Sequence, residues 1–354
     1  MKACGRLIFG GFAGTSLPAR FMRALVDGRR AGAIVFGRNV EGPEQVAALN
    51  GQVLEAGGMV AVDQEGGPVA RLKDPVLKLP PMRRLGFIDD PGLTERVAHA
   101  LGTQLRSLGF SIDFAPVLDV DSNPDNPVIG DRSFGSEPDV VTRHGLAFAR
   151  GLQAAGIAAC GKHFPGHGDT DVDSHLALPV VARSREVFDA VELAPFRAAA
   201  QTDLAAVMSA HVVYRGPEGD SAPATLDPRF ATALLREELG FDGVLFSDDL
   251  EMGALSKTLG LAIEDAAVAA VRAGCDAVLI CSDEEAQDCA FEALVRETER
   301  DAGFAARVTE AAGRIDALRE RFGGRVEMDA AARLEALGTG AARALAEAME
   351  MTDT

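Results

Sequence analysis

Residues 161–175, GKHFPGHGDTDVDSH, concentrate groups that could transfer protons, bind a metal or hold a polar ligand. They contain three of the chain's six histidines, together with three aspartates. The apolar run 156–160 before them is typical of the end of a buried strand. Glycines and Pro165 disfavour a helix, so we predict a loop. Binding and catalytic groups concentrate on loops that a rigid scaffold positions.

Two kinds of chemistry are compatible with this loop. His163, His167 and His175, with the aspartates between them, could bind zinc. Metal-binding barrels, however, draw ligands from several strands in tight patterns such as HxH, and that pattern is not found here. Alternatively, the carboxylate of Asp173 orients the imidazole of His175 and fixes its tautomer, which suits proton transfer.

Asp248 is a second candidate, because it follows an apolar run at 243–246. A carboxylate that ends a buried strand can act as a nucleophile. The alternative is a structural role as the N-cap of the next helix, which Ser247 or Asp249 could fill instead.

Eight short apolar runs could form the strands that position these groups. Continuous apolar runs indicate parallel strands that are buried on both faces, and helical patterns such as 44–54, 94–105 and 231–239 separate them. We therefore predict a TIM (β/α)8 barrel of class α/β. A doubly wound sheet is the alternative, but GGFAG at 10–14 lacks the GxGxxG spacing of its nucleotide-binding turn. The runs are residues 6–9, 33–36, 59–62, 111–115, 158–160, 205–208, 243–246 and 277–280.

Polar side chains collect just after these runs, where the barrel fold places its active sites. Loop caps could account for scattered Asp, Asn and Ser, but they do not account for Lys162 and His163 directly after a buried strand. The polar groups include Arg38, Asn39, Asp63, Gln64, Glu65, Arg71, Asp119, Asp121, Lys162, His163, Ser209, His211, Ser247, Asp248, Asp249, Ser282 and Asp283.

About 70 residues follow the eighth run and carry helical patterns at 284–300, 303–321 and 329–348. No Pro/Ser-rich linker or repeat separates them from the barrel. We predict one domain over residues 1–354, with the barrel at about 5–285 and helices of about 286–350 packed on it.

Composition limits the partners and the compartment. A formal charge of -18 argues against nucleic acid or an anionic membrane surface as partner. No apolar run reaches the length of a membrane span, and the N-terminus does not resemble a signal peptide. Five cysteines without a close CxxC pair, several of them in apolar runs, suit a reducing environment. We expect a cytoplasmic protein.

The loop motifs resemble the signature of family 3 glycoside hydrolases of the single-domain β-N-acetylhexosaminidase (NagZ) type. The resemblance rests first on KHFPGHGDT at 162–170 with DSH at 173–175. It extends in the expected order over roughly residues 5–285. The other motifs that carry it are VDQEGG at 62–67, NPVIGDRSFG at 126–135, MSAH at 208–211 and FSDDL at 246–250.

This resemblance implies a retaining exo-β-N-acetylglucosaminidase, acting on a small saccharide or muropeptide in peptidoglycan recycling without a cofactor or metal. Asp248 would attack the anomeric carbon, and His175, paired with Asp173, would serve as acid and base. The usual retaining pair is two carboxylates, but an imidazole already titrates near a useful pH. His211 and Met252 are expected to line the pocket. The residues implied to bind the sugar are Asp63, Arg71, Arg132, Lys162 and His163.

Three alternatives to this activity remain open from the sequence. Relatives with the same Asp–His loop look able to use phosphate instead of water, which would make the chain a phosphorylase. A non-catalytic sugar-binding barrel belongs to a different class. Catalysis assisted by the substrate's acetamido group would replace the covalent route. The sequence does not predict the oligomeric state.

Overall fold

A closed barrel of parallel strands forms the centre of the molecule, as the sequence predicts. The computed structural model describes residues 2–174, 176–215, 222–324, 330–338, 344–345 and 347–349. Neighbours in the barrel follow chain order, and the eighth strand pairs with the first. Each predicted apolar run contains or overlaps one strand. The strands are Ile8–Gly10, Gly32–Val35, Met59–Val62, Ile112–Asp113, Ala158–Phe164, Ala206–Ser209, Val244–Asp249 and Ala277–Ile280.

Helices surround the barrel and confirm the α/β class. Proline opens several of them at the first helical position, where its missing N–H costs nothing. The patterns at 44–54 and 94–105 lie within helices Pro43–Glu55 and Pro91–Ser107. The described helices of four or more residues before the eighth strand are Lys2–Gly5, Ala19–Val26, Pro43–Glu55, Met82–Ile88, Pro91–Ser107, Pro138–Ala154, Arg185–Ala190, Ala194–Ala199, Arg229–Glu238, Ala254–Thr258 and Ile263–Ala273. Three short 3-10 helices are Gly37–Asn39, Gly130–Arg132 and Ala224–Leu226.

Large apolar side chains fill the barrel interior. The ring of Phe246 contacts those of Phe9 and Phe114 edge to face, with centroids 5.2 Å and 5.4 Å apart. A second buried cluster lies between the strands and the surrounding helices. Both faces of each strand are thus covered, which explains why the strands read as continuous apolar runs.

The C-terminal helices Glu284–Arg300, Ala302–Phe322 and Ala330–Leu337 pack on the barrel. Helix Ala302–Phe322, which we call the floor helix, covers the N-terminal end of the barrel. Its residues Ile315, Leu318 and Phe322 belong to the same buried cluster as the barrel interior. The predicted packing is therefore confirmed for these three helices, whereas residues 325–329, 339–343, 346 and 350 of the predicted segment lie outside the described residues. The floor helix in addition closes the end opposite the strand termini that carry the predicted site.

A buried carboxylate fastens the floor helix to the start of the eighth strand. Asp276 accepts hydrogen bonds from Arg236 (2.6 Å), Arg307 (2.5 Å) and Arg314 (3.3 Å). Arg307 and Arg314 lie on the floor helix, whereas Arg236 lies on helix Arg229–Glu238. Asp276 therefore joins two helices to the strand that follows it.

Two small sheets shape the loops at the other end of the barrel. Gln64–Gly66 pairs with Val69–Ala70 directly after the third strand. Val180–Val181 pairs with Val213–Tyr214 and so joins the loops after the fifth and sixth strands. Among the described helices, none combines the length and apolarity needed to cross a membrane. Four of the five cysteines are buried free thiols, and Cys289 is an exposed one.

Candidate active site

A cavity of about 180 Å³ opens where the strands end, and it gathers most of the predicted site residues. Six of the eight candidate side chains line it, as does Met252. Asp173 is half-buried and is not among the lining residues, and His175 lies outside the described residues. Ser174, between these two, does line the cavity. The six candidates are Asp63, Arg71, Arg132, Lys162, His163 and Asp248.

Glu65 connects two cations of the site, the buried Lys162 and the partly buried Arg132, although its place after the third strand gave it no predicted role. Arg132 donates two hydrogen bonds of 2.9 Å to its two carboxylate oxygens, and the Lys162 ammonium lies 2.5 Å from Oε1. Burial alone would raise the pKa of Glu65. Lys162 and Arg132 outweigh it and hold this pKa well below its ordinary value. Glu65 is therefore ionised and fixes both cations.

Asp63 is the second carboxylate that contacts the Lys162 ammonium, in addition to Glu65. Lys162 donates to its Oδ1 at 2.8 Å, and Arg71 lies 3.5 Å from Oδ2. Burial would lower the pKa of Lys162, but Asp63 and Glu65 raise it above its ordinary value. The amine therefore stays charged although it is buried. An ammonium has three N–H groups, and two of them point to these carboxylates.

Asp119 organises the start of the His/Asp loop. Its carboxylate accepts hydrogen bonds from the Nδ1 of His163 (2.6 Å) and from the backbone N–H of His167 (2.7 Å). Burial would raise the pKa of Asp119, but His163 and these hydrogen bonds hold it below its ordinary value. Asp119 is one of the polar residues that follow the fourth apolar run, but its position in the sequence gave it no predicted role in the site.

His167 is a structural member of the loop. Its Nδ1 lies 2.7 Å from the hydroxyl of Thr170, and its Nε2 lies 3.0 Å from that of Ser174. Burial, followed by the neighbouring His163, lowers the pKa of His167 to about 4, so the ring is neutral. Both ring nitrogens therefore serve to fold the loop back on itself.

Asp248 and Asp249 end the seventh strand with different surroundings. Asp249 accepts backbone hydrogen bonds from Glu251 (3.1 Å) and Cys281 (3.2 Å), and so caps the turn that follows. Burial raises the pKa of Asp249 to about 7. Asp248 accepts from the N–H of Asp249 (2.8 Å) and faces the cavity. The N-cap of the next helix, Ala254–Thr258, is Gly253 without a side-chain cap, so the predicted capping alternative is wrong for Asp248 and for its neighbours Ser247 and Asp249.

His211 is not among the residues that line the cavity, so that prediction is wrong. Its buried ring lies between the hydroxyl of Thr225 (2.8 Å) and the carbonyl of Asp249 (3.0 Å). The ring therefore stabilises the backbone at the end of the seventh strand through its hydrogen bond to Asp249.

The zinc alternative finds no support in the part of the chain that is described, where no group of three or more His, Cys, Asp or Glu side chains is arranged to hold a metal. His175 would have to complete such a site and lies outside that part. The Nδ1 atoms of His163 and His167 point to Asp119 and Thr170 instead.

Comparison with known proteins identifies the family. Residues 17–318, more than half of the chain, match the model described as glycosyl hydrolase family 3 N terminal domain. A protein named Beta-hexosaminidase from Thiobacillus denitrificans is 42% identical over 285 residues, which cover 78% of this chain and 78% of that protein.

Solved structures agree with this match. A glycoside hydrolase family 3 β-N-acetylglucosaminidase from Paenibacillus sp. is similar with a TM-score of 0.91 and 39% identity, covering 98% of this chain and 67% of that one. NagZ from Neisseria gonorrhoeae, in complex with N-trifluoroacetyl-D-glucosamine, is similar with a TM-score of 0.79 and 32% identity, covering 97% and 96%.

Proposed function

The chain belongs to glycosyl hydrolase family 3, and on that premise we propose that this glycoside hydrolase removes terminal β-linked N-acetylglucosamine with retention of configuration. One observation carries the proposal. Asp248, at the end of the seventh strand, lines the same cavity as the buried Lys162, the partly buried Arg132 and Ser174, the residue before His175. A carboxylate, polar groups that can hydrogen-bond to hydroxyls and the residue before His175 around one cavity support this proposal.

Asp248 is the nucleophile of this proposal. Its carboxylate oxygen attacks the anomeric carbon, and the bond from that carbon to the leaving oxygen breaks. Water then attacks the same carbon and releases Asp248. Asp249, rather than Asp248, accepts the backbone hydrogen bonds of Glu251 and Cys281, and Asp248 faces the cavity.

His175 gives its proton to the leaving oxygen and takes one from the incoming water, while Asp173 orients its ring. Support comes from the position of its neighbour. The carbonyl of Ser174 accepts a hydrogen bond from the N–H of Ala254 (3.2 Å), just after the seventh strand. This contact holds the loop against helix Ala254–Thr258, which follows the strand that carries Asp248.

The remaining polar groups bind the sugar. The third N–H of Lys162 and the unused N–H groups of Arg132 can donate to hydroxyls or to the N-acetyl oxygen. Asp63, which is already fixed by Lys162 and Arg71, accepts hydrogen bonds from hydroxyls. His163, held by Asp119, completes this set.

We infer that the natural substrate is a peptidoglycan fragment carrying N-acetylglucosamine on 1,6-anhydro-N-acetylmuramic acid, and that the enzyme works in the cytoplasm. The similarity to NagZ supports the first inference. The acidic charge and the buried free thiols suit the second.

A trapping experiment tests the mechanism. A fluorinated N-acetylglucosaminide should label Asp248, as peptide mass mapping would identify. Labelling of another residue would refute the assignment of the nucleophile, and no covalent adduct at all would favour catalysis by the acetamido group.

Product analysis separates hydrolysis from the other activities. We expect free N-acetylglucosamine from the anhydromuramic acid disaccharide, with or without phosphate. Formation of the sugar 1-phosphate would instead identify a phosphorylase. Binding of the disaccharide without turnover would identify a non-catalytic sugar-binding barrel.

A further inference from the structure

A buried polar cluster lies outside the cavity lining, next to the loop of residues 165–174. At its centre is Glu192, whose side chain is fully buried. Its Oε1 accepts a hydrogen bond of 2.7 Å from the hydroxyl of Ser122, in the segment after the fourth strand. Glu192 itself follows helix Arg185–Ala190. The carboxyl therefore joins two segments at the end of the barrel that carries the site.

The same cluster fastens the loop at Gly166. Tyr214, the only tyrosine in the chain, donates its hydroxyl proton to the carbonyl of Gly166. A Cβ added to Gly166 would lie 2.8 Å from the Cβ of Glu192 and 3.3 Å from the Tyr214 hydroxyl, so the backbone packs directly on both. Its φ of 135° also favours glycine. An ion pair between Arg183 and Asp169 holds the loop three residues further on.

The loop connects the anchored Gly166 to the cavity. Next to Gly166, His167 reaches the hydroxyl of Ser174 at 3.0 Å. Ser174 lines the cavity and is directly followed by His175. A shift at Gly166 would therefore move the residues that flank the acid/base group.

The carboxyl of Glu192 is satisfied at one oxygen. In the described structure no donor reaches Oε2, although this atom is buried. The groups that face the carboxyl are the Ser122 and Tyr214 hydroxyls, the Arg183 guanidinium, and the carboxylates of Asp119 and Asp169. Burial raises the pKa of Glu192 to about 7. The carboxylates of Asp119 and Asp169 act in the same direction, and they and burial together outweigh Ser122 and Arg183, which lower this pKa.

We propose that Glu192 is a positioning residue for the hydrolysis. While protonated, Glu192 and Tyr214 together hold the loop of residues 165–174 in the position that places the acid/base group at the cavity. Ionisation would place an unpaired charge in a buried site beside Asp119 and Asp169, and the loop would open to let water reach that charge. The inference rests on the proposed role of Asp173 and His175 as the acid/base pair.

Hydrogen exchange of the full chain tests the placement without using activity. Amides of residues 164–174 would be followed at about pH 5.5 and about pH 8.5, corrected for the intrinsic pH dependence of exchange. In wild type we expect the protection factors of these amides to fall on the order of tenfold from about pH 5.5 to about pH 8.5. The reason is that each pH unit above the pKa of Glu192 shifts the equilibrium toward the ionised, open form by up to tenfold. Glu192→Gln, which imitates the protonated carboxyl, should keep its protection at both pH values.

Glu186→Gln is the matched control, because Glu186 is an exposed carboxylate on the neighbouring helix. It should lose protection with pH as wild type does. The proposal is overturned if Glu192→Gln loses protection in the same way, or if its loop already exchanges freely at about pH 5.5.

A second variant keeps the proposal testable if Glu192→Gln folds poorly. Tyr214→Phe keeps the ring but removes the donor to Gly166. We expect faster exchange of the loop at both pH values and a several-fold lower kcat at nearly unchanged KM, because neither Tyr214 nor Gly166 lines the cavity. Unchanged exchange in Tyr214→Phe would contradict the anchoring role.

The activity arm compares the kcat of wild type and Glu192→Gln on an aryl N-acetylglucosaminide across the same pH range. The variant should lose less kcat than wild type on the alkaline side, and an identical loss would count against the proposal. If no N-acetylglucosaminide is hydrolysed, the proposed function fails, whereas the exchange experiment still decides whether Glu192 holds the loop.

Discussion

Removal of the negative charge of Glu65 should damage both stability and activity. Its carboxylate, 1% exposed, holds Arg132 by two hydrogen bonds and Lys162 by a contact of 2.5 Å. Glu65→Gln would leave Lys162 with Asp63 as its remaining carboxylate partner. Loss of one partner from a buried ionic network costs about 3–5 kcal/mol, and we expect the lower end because Gln keeps the volume and one acceptor.

The same change should lower kcat/KM, because both cations line the cavity. A charge-assisted hydrogen bond contributes about 1.5–3 kcal/mol, which corresponds to a loss of roughly 10- to 160-fold. Urea unfolding measures the first effect and steady-state kinetics the second. Because the pKa of Glu65 lies well below its ordinary value, the stabilisation should persist at neutral pH and disappear only in strong acid.

A double-mutant cycle with Lys162→Met gives the sharpest test. The free energies of unfolding of the two single variants and the double variant should reveal a coupling of about 1–3 kcal/mol. Glu95→Gln serves as control, since Glu95 pairs with Arg150 on the surface and should contribute less than about 1 kcal/mol. Additive effects, or a Glu65→Gln variant as stable as the control, would refute the network.

Four further variants test other parts of the molecule. Asp248→Ala should abolish turnover but keep sugar binding, as calorimetry would measure, and residual turnover near the wild-type rate would exclude it as nucleophile. His175→Ala should lower kcat/KM most for poor leaving groups, because activated aryl glycosides need little protonation; equal losses would contradict the acid role. Asp276→Asn should destabilise the fold by about 3–5 kcal/mol in urea, with kcat unchanged in the folded fraction, since Asp276 lies at the end of the barrel opposite the cavity. Glu192→Gln should gain stability over wild type as pH rises from about 4.5 to 7, by up to about 3 kcal/mol, because the folded carboxyl with a pKa of about 7 binds more protons there than the unfolded one; a difference in Tm that does not change with pH would refute this.

The barrel was predictable because parallel strands buried on both faces leave an apolar run in the sequence. The convergence of Asp63, Lys162 and Asp248 then follows from the fold, since strand ends meet at one opening. The predicted roles of Asp173 and His175 remain predictions, as does the single domain over 1–354.

Contacts between distant segments were not predictable. Glu65 and Arg132 are 67 residues apart, and only the folded chain brings them together. His211 follows a strand as the site residues do, but Thr225 and Asp249 hold its ring outside the lining. The periodic pattern of the floor helix predicts an apolar face, but it does not indicate which end of the barrel that face covers.

The surroundings of Tyr214 make the chain its own optical probe. The sequence contains no tryptophan and this one tyrosine, so the phenol beside Gly166 dominates the intrinsic ultraviolet emission. Its intensity and lifetime therefore report the surroundings of one ring, including the hydrogen bond to Gly166, rather than an average over many rings. Stopped-flow mixing with a saccharide could then follow rearrangement of the neighbouring backbone in real time, without an attached dye.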